Sequence, residues 1–223
     1  MAENDRTQAN RLIRECQETQ NPYLDLGNCG ITDLGDLPEL FECTHLQTLI
    51  LANEWWDWQK RKWMQSANSG LKNQLTSLSP AIISLKKLSL FNLSGKLYNF
   101  YQISDIQFLE KLTGLQTLDL SYNRISDIQF LEKLTGLKTL DLSDNQISDI
   151  RFLEKLTGLK TLDLSSNQIS DIRFLEKLTG LQSLDLSYNK ISDYRFLEKL
   201  TELQALYLHS NQISDYRFLE KLT

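Results

Sequence analysis

Leucine and isoleucine positions recur along most of this chain with a period of 22 residues. The unit ISDIQFLEKLTGLQTLDLSYNR begins at Ile103, and related copies begin at Ile125, Ile147, Ile169 and Ile191. A sixth copy begins at Ile213 and reaches Thr223 with only its first half. The copies at Ile125 and Ile147 differ at only 2 of 22 positions. A repeat of this length predicts a solenoid, in which each copy is one unit stacked on its neighbours.

Each unit divides into a strand half and a helix half. Leu137, Leu140 and Leu142 alternate with polar residues that point outward, which predicts a short strand. The half that carries Ser126 and Asp127, two N-cap residue types, has the spacing of one or two helical turns. One unit cannot bury its own apolar side chains, whereas stacked units cover one another. We therefore predict an α/β solenoid with a parallel concave sheet of about eight short strands and short helices on the convex side.

Two further columns recur at fixed positions in the copies. The asparagine column is expected to satisfy buried backbone groups where the chain turns away from each strand; its members are Asn123, Asn145, Asn167, Asn189 and Asn211. The phenylalanine column is expected to form a stacked spine beneath the convex side; its members are Phe108, Phe130, Phe152, Phe174, Phe196 and Phe218.

The pattern LxxLxLxxNxIxDIxxLxxL resembles the 22-residue class of leucine-rich repeats. Bacterial internalins and a family of protein-phosphatase regulators share that class. The resemblance is strongest over 103–223 and weaker over about 23–102. It implies a horseshoe-shaped solenoid that binds a protein on its concave face, because families of this class do so. The N-terminal arrangement also resembles that of bacterial Roco GTPases and related multidomain signalling proteins.

The first hundred residues carry the repeat in a degraded form. Leu24 and Leu26, then residues 49–51, then residues 91–93 match strand positions, and Cys29 stands where an asparagine belongs, so we predict a structural role for it. Residues 5–19 read as a helix, with Ala9, Leu12, Ile13 and Cys16 on one face. We predict three regions: a helical cap at 1–22, irregular repeats at 23–102, and at 103–223 five full regular copies and a partial sixth.

Two insertions interrupt the irregular repeats. The insertion at 54–73 contains all four tryptophans, Trp55, Trp56, Trp58 and Trp63. The insertion at 94–102 contains Tyr98, Phe100 and Tyr101. Both follow a strand on the same side of the solenoid, so they are expected to pack into one aromatic flank. That flank is interpreted as a small satellite core, as a binding hot spot for a partner, or as a stacking surface for nucleic acid.

Polar strand positions form columns across the predicted concave face. One column reads Asp119, Asp141, Asp163, Asp185 and then Tyr207, and the next ends in His209. The aspartates are interpreted either as solvated residues on an open surface, with no pocket to change their pKa values, or as an acidic binding strip. Lys138 and Lys160 are expected to offset part of their mutual repulsion. Tyr207 and His209 are binding candidates because they break the repeat.

Composition narrows the choice of partners. The net charge of −5 disfavours a polyanionic partner, so neither nucleic acid nor a membrane surface is predicted. No apolar run is long enough to span a membrane, and the first residues lack the pattern of a secretory signal. Three cysteines without a C-x-x-C pair indicate neither a disulfide framework nor a zinc site, and a cytoplasmic location is predicted.

No catalytic constellation is recognised in the sequence. Cys43 and His45 have the residue types of a nucleophile and its base, but no orienting acid is identified beside them. No metal or cofactor is predicted, and the chain is predicted not to be an enzyme. The leading hypothesis is a module that binds a protein partner. The alternatives are a regulatory arm of a larger GTPase or protease, and a spacer that self-associates through the uncapped C-terminal end, where Ile213, Phe218, Leu219 and Leu222 lack a following copy.

Overall fold

Eight short parallel strands form the concave sheet of the solenoid. The computed structural model describes residues 3–58, 60–95 and 101–213. The sheet strands are β1 (Tyr23–Asp25), β2 (Thr48–Ile50), β5 (Leu90–Asn92), β6 (Thr117–Asp119), β7 (Thr139–Asp141), β8 (Thr161–Asp163), β9 (Ser183–Asp185) and β10 (Ala205–Tyr207). They pair in chain order. The predicted number and direction of the strands are confirmed.

The register aligns equivalent positions of successive repeats. Leu118 pairs with Leu140, and Asp119 pairs with Asp141. The leucines point into the solenoid and are fully buried. Because every strand is offset by one whole repeat, equivalent side chains form straight columns across the sheet. This register places the aspartates of β6 to β9 side by side.

The convex side consists of short 3-10 helices where the sequence predicted turns of helix. They span Leu34–Asp36, Pro38–Glu42, Pro80–Ser84, Gln107–Lys111, Gln129–Lys133, Arg151–Lys155, Arg173–Lys177 and Arg195–Lys199. The predicted N-caps at Ser126 and Asp127 are wrong, because the capping position is Ile128, which makes no side-chain cap hydrogen bond. Asp127 instead closes a tight turn, in which its Oδ1 accepts from the Gln129 N–H at 2.9 Å.

The phenylalanine column lies beside these 3-10 helices. Phe130 is buried, whereas the other described members are partly buried and pack against the core: Phe108, Phe152, Phe174 and Phe196. Phe218 lies outside the described residues. The column therefore covers the convex edge of the core.

An α-helix covers the first repeats. Helix α1 spans Glu3–Thr19 and buries Ala9, Ile13 and Cys16 against the core. It contacts β1 and the 3-10 helix Pro38–Glu42. Within the described residues, no helix combines the length and apolar character needed to cross a membrane. The sixth partial copy after Ile213, including the predicted uncapped end, lies outside the described residues.

The asparagines form the predicted ladder along the turn that follows each strand. In the copy that contains Asn145, Nδ2 donates to the carbonyl oxygens of Leu120 and Leu142 at 3.0 and 3.1 Å. Nδ2 also lies 3.1 Å from the carbonyl oxygen of Ser143. Its Oδ1 accepts from the N–H of Ile125 at 2.9 Å. One side chain thus joins two repeats and satisfies backbone groups that water cannot reach.

The ladder continues through the first insertion by means of Asn73. Its Nδ2 donates to the carbonyl oxygens of Leu26 and Leu51, both at 2.8 Å. Its Oδ1 accepts from the N–H groups of Cys29 and Ile31 at 3.1 and 2.9 Å. Cys29 is fully buried, in agreement with the structural role predicted for it. The insertion therefore leaves the solenoid turn intact and returns to it at Asn73.

The second insertion returns to the ladder at Tyr101. The Tyr101 hydroxyl donates to the Leu51 carbonyl oxygen at 2.8 Å, which is the contact an asparagine makes elsewhere in the ladder. Tyr101 is fully buried and belongs to the main core of the solenoid. Tyr98 and Phe100 lie outside the described residues.

Candidate ligand-binding cleft on the concave face

The tryptophan-rich insertion forms an antiparallel β-hairpin. Strand β3 (Glu54–Asp57) pairs with β4 (Lys62–Gln65), which places Trp56 opposite Trp63. The Trp56 ring makes edge-to-face contacts with Trp58 and Trp63, with ring centroids 6.3 and 5.8 Å away. Such pairs add stability beyond their buried area. The hairpin is thus held together by its own indole rings.

The hairpin lies over the concave sheet, where it encloses two clefts. The larger cleft has a volume of about 270 Å³. Its lining includes Trp56, Trp58, Trp63, Asp141, Asp163, Asp185 and Tyr207. The smaller cleft, of about 120 Å³, is lined by Trp55, Trp56, Trp58, Asp119 and Asp141 among others. The two surfaces that the sequence suggested separately, the tryptophan insertion and the aspartate column, therefore face each other.

The described structure thus brings together nine of the ten predicted site residues. His209 is the exception, because it lines neither cleft. Its Nδ1 lies 2.9 Å from the Ser187 hydroxyl oxygen, and its ring packs edge-to-face on Tyr188. These contacts hold His209 at the edge of the sheet.

Three of the four aspartates of the column are buried, which makes their interpretation as solvated residues wrong, whereas Asp185 is partly exposed. Asp119, Asp141 and Asp163 are only 7%, 5% and 9% exposed. The strand alternation correctly indicates that they point to the concave side. The neighbouring side chains of the column and the hairpin above it then exclude water from them.

Each aspartate is fixed by the serine two residues later. Asp141 Oδ1 accepts from the Ser143 N–H at 3.0 Å and from its hydroxyl at 2.7 Å. Asp163 and Ser165 repeat this pattern at 2.9 and 2.7 Å. These bonds occupy the Oδ1 atom of each carboxylate. The serines thereby position the carboxylates.

Burial and mutual repulsion raise the pKa values of these carboxyls. Desolvation raises the pKa of Asp119 to about 6, although hydrogen bonds from Ser121 and Asn92 oppose the shift. Desolvation, together with the charge of Asp119, raises the pKa of Asp141 to about 8. Desolvation, together with the charge of Asp141, raises the pKa of Asp163 well above its usual range. The column therefore holds protons at neutral pH that free aspartates would have released.

The predicted compensation by lysines is wrong. Lys160 Nζ donates to the carbonyl oxygen of Gly180 at 3.1 Å, and Lys138 Nζ lies beside Gly158. Both side chains thus extend along the edge of the next repeat, away from the carboxylates. These two lysines therefore do not neutralise the charge of the aspartate column.

Sequence reasoning missed three groups in the larger cleft. Tyr122 and Asp144 precede the ladder asparagines and adopt left-handed backbone conformations, with φ of 54° and 51°. Ser94 also lines the cleft, and its hydroxyl lies 2.8 Å from that of Ser121. The positions before the asparagines vary between copies, and this variability was the available indication that they face the cleft rather than the core.

The thiols near the N-terminus lie in a separate buried cluster. Cys16 Sγ lies 3.5 Å from His45 Nε2. Burial raises the pKa of Cys16, and burial together with the neighbouring Cys16 raises the pKa of Cys43 to about 12. Both thiols are therefore protonated near neutral pH, which disfavours a nucleophilic role. Over the described part of the chain, no three His, Cys, Asp or Glu side chains are grouped so that they could hold a metal ion.

Comparisons with known proteins match the repeat. A model of leucine-rich repeats in two copies matches residues 96–133 and 135–177, and a second leucine-rich-repeat model matches 157–213. Together these segments cover more than half of the chain. No curated protein sequence matches it significantly.

Similar solved structures are repeat proteins of several kinds. Internalin C2 of Listeria monocytogenes is 27% identical, with a TM-score of 0.76 over 96% of this chain and 88% of that one. An internalin F structure from the same species is 29% identical, with a TM-score of 0.55 over 90% of this chain. TLR13, in a structure of its complex with ssRNA13, is 27% identical, with a TM-score of 0.62 over 90% of this chain. The chain spans 64% of the internalin F structure and 27% of TLR13.

Proposed function

Because this chain belongs to the leucine-rich-repeat family, whose repeats generally mediate protein–protein interaction, we propose that it binds a protein partner on its concave face. The observation that carries the proposal is the hairpin folded over the aspartate column. It turns an open sheet into a cleft with aromatic walls and a polar floor. Aromatic side chains of this kind are enriched among the residues that dominate interface energetics.

The exposed aromatic residues at the mouth of the larger cleft support this assignment. Trp63 and Tyr207 are about half exposed, at 52% and 50%, and both line the cleft. They come from opposite ends of the sequence, yet they flank the same opening. A partner that reaches into the cleft would cover both rings and bury apolar area that is now in contact with water.

The proposal does not include catalysis. The cleft carboxylates accept hydrogen bonds from serines, and the cysteines with raised pKa values lie in a separate buried cluster near the N-terminus. The proposed role is therefore recognition, with no cofactor. A cytoplasmic location, suggested by the cysteine content, stays a prediction. So do the alternative roles as a regulatory arm or as a self-associating spacer.

Nucleic acid is the competing partner class, since TLR13 was solved with ssRNA13. The floor of the cleft here consists of aspartates, and the net charge is −5. Binding a phosphate backbone relies on lysine and arginine contacts. The cleft offers the opposite charge, so a protein partner is favoured.

The test is affinity capture with matched variants. The tagged chain, a Trp63→Ala/Tyr207→Ala variant and a Tyr23→Ala control are compared by quantitative mass spectrometry of the captured proteins. Tyr23 is also exposed, at 46%, but lines neither cleft. The amount of each specific partner that the double variant captures is expected to fall at least tenfold, whereas the control is expected to capture the same amount as the unmodified chain. Capture of the same proteins by all three chains would refute concave-face binding.

A further inference from the structure

The floor of the larger cleft has carboxylate oxygens that accept no hydrogen bond from the residues that the structure describes. Asp141 and Asp163 are more than nine-tenths buried. Their Oδ1 atoms accept from serines, but within the described residues no hydrogen bond or ion pair reaches either Oδ2. Asp119 differs, because its Oδ2 accepts from Asn92 Nδ2 at 3.0 Å. The Oδ2 atom of Asp119 therefore has a partner within the chain, whereas the Oδ2 atoms of Asp141 and Asp163 have none among the described residues.

The walls of the cleft are suited to a cation. Trp56, Trp58, Trp63 and Tyr207 border the space above the aspartates. Indole is the side chain whose ring face attracts cations most strongly. An ammonium or guanidinium group between these rings and the carboxylates would gain both the ring attraction and charge-assisted hydrogen bonds.

The size of the cleft restricts what can enter it. Its volume of about 270 Å³ lies just below the range of roughly 300–1,000 Å³ typical of small-molecule pockets. One long side chain fits this space better than a drug-sized molecule does. An anionic group is excluded by the carboxylates, and a neutral apolar side chain would leave both Oδ2 atoms without partners.

We propose that this cleft binds the cationic side chain of an arginine or lysine that projects from a protein partner. The proposal rests on the proposed function, because it names the chemistry of the partner at the same cleft. The walls hold the aliphatic stem and the charged group, and Asp141 and Asp163 pair with its N–H donors. Because the pKa values of these two carboxyls are raised, a bound cation would displace their protons and pair with the ionised forms.

The test uses tryptophan fluorescence, because all four tryptophans of the chain belong to the hairpin insertion. Blocked pentapeptides Gly-Gly-X-Gly-Gly are titrated, where X is arginine, lysine or citrulline. Citrulline has the shape of arginine without its charge. The arginine and lysine peptides are expected to bind, and their relative affinities identify the preferred cation. The citrulline peptide is expected to bind at least tenfold more weakly.

Matched variants locate the binding. Asp141→Asn/Asp163→Asn keeps an Oδ1 acceptor for each serine, as Asn92 does for the Ser94 N–H at 3.1 Å. This variant is expected to bind the arginine and lysine peptides at least tenfold more weakly than the unmodified chain. Asp127→Asn, which makes the same charge change once on the exposed convex side, is expected to bind as the unmodified chain does. Circular dichroism melting checks that each variant is folded.

Three outcomes would overturn the cation assignment: no binding of either charged peptide, equal binding of the citrulline peptide, or unchanged binding by a folded Asp141→Asn/Asp163→Asn variant. These are distinguishable from failure of the proposed function. If partner capture depends on Trp63 and Tyr207 but the charged peptides do not bind, the concave face is the interface and the cation assignment is wrong. If capture depends on neither residue, the proposed function itself fails.

Discussion

The aspartate column predicts an unusual pH dependence of stability, which Asp141→Asn should remove. Asp141 lies on β7 between Asp119 and Asp163, and adjacent strands are about 4.8 Å apart. Burial and the charge of Asp119 raise its pKa from 3.8 to about 8. An asparagine can still accept from the Ser143 N–H, as Asn92, two strands away at the equivalent position, accepts from the Ser94 N–H.

The direction in which stability changes with pH follows from proton binding by Asp141. Between about pH 4 and pH 8 the folded chain holds a proton on Asp141 that the unfolded chain has released. The free energy of unfolding therefore falls as the pH rises through this window. The buried Asp141 carboxyl does not destabilise the fold at pH values below its unfolded pKa. It destabilises the fold fully at pH values above its folded pKa. Asparagine has no such penalty.

The size of the Asp141 pKa shift sets the magnitude of the change in the free energy of unfolding. At about 1.4 kcal/mol per pKa unit, a shift of this size gives at most about 6 kcal/mol. The neighbouring carboxyls share the repulsion and can protonate instead, so about 2–3 kcal/mol is expected from Asp141 alone. At pH 8.5 the free energy of unfolding of Asp141→Asn should exceed that of the unmodified chain by this amount. At pH 4 the two should agree within about 1 kcal/mol.

The assay is urea unfolding at pH values from 4 to 9, followed by circular dichroism. Asp127→Asn serves as the control, because it makes the same substitution at an exposed position on the convex side. The reasoning would be refuted if Asp141→Asn were less stable than the unmodified chain at pH 8.5. It would also be refuted if the two differed in free energy of unfolding by the same amount at every pH.

The hydrogen-bond ladder and the turns around the insertions give four further predictions, all measured by urea unfolding. Asn145→Ala should lower the free energy of unfolding by about 2–4 kcal/mol, since it leaves several buried backbone groups unsatisfied. Asn123→Ala should cost about 1 kcal/mol less, because Asn123 Oδ1 has no hydrogen-bond partner among the described residues, and equal losses would contradict this. Tyr101→Phe should cost about 1–2 kcal/mol by removing the hydroxyl that donates to the Leu51 carbonyl oxygen; no change would show that this bond is dispensable. Gly27→Ala should cost at least about 1–3 kcal/mol, since its Cβ would lie 2.2 Å from the Ala52 carbonyl oxygen, and an unchanged midpoint would contradict that crowding.

The repeat made the solenoid predictable. The spacing of leucines requires one buried column per strand position, and stacking is the only arrangement that buries them all. The same spacing assigned the asparagines to the turns, where Asn145 makes the predicted bonds. The 3-10 form of the convex helices was not predicted, because five-residue helices with buried Ile and Leu look alike in both helix types at this length.

The insertions were not predictable in the same way. Nothing local in residues 54–73 specifies whether the hairpin lies over the concave sheet or beside it. Its position depends on long-range bonds, such as those of Asn73 to Leu26 and Leu51. For the same reason the strand alternation placed Asp141 on the concave side but could not show that tryptophans would cover it. The replacement of an asparagine by Tyr101 is likewise visible only in its bond to Leu51.

The most direct test of the central claim is hydrogen exchange of the chain with and without a partner obtained by affinity capture. The claim is that the hairpin of β3 and β4 and the aspartate column form one binding site. Slower exchange is therefore predicted in the hairpin and in β7 and β8 together, with the convex 3-10 helices unchanged. Protection confined to the convex side, or to the hairpin without the strands beneath it, would contradict the claim.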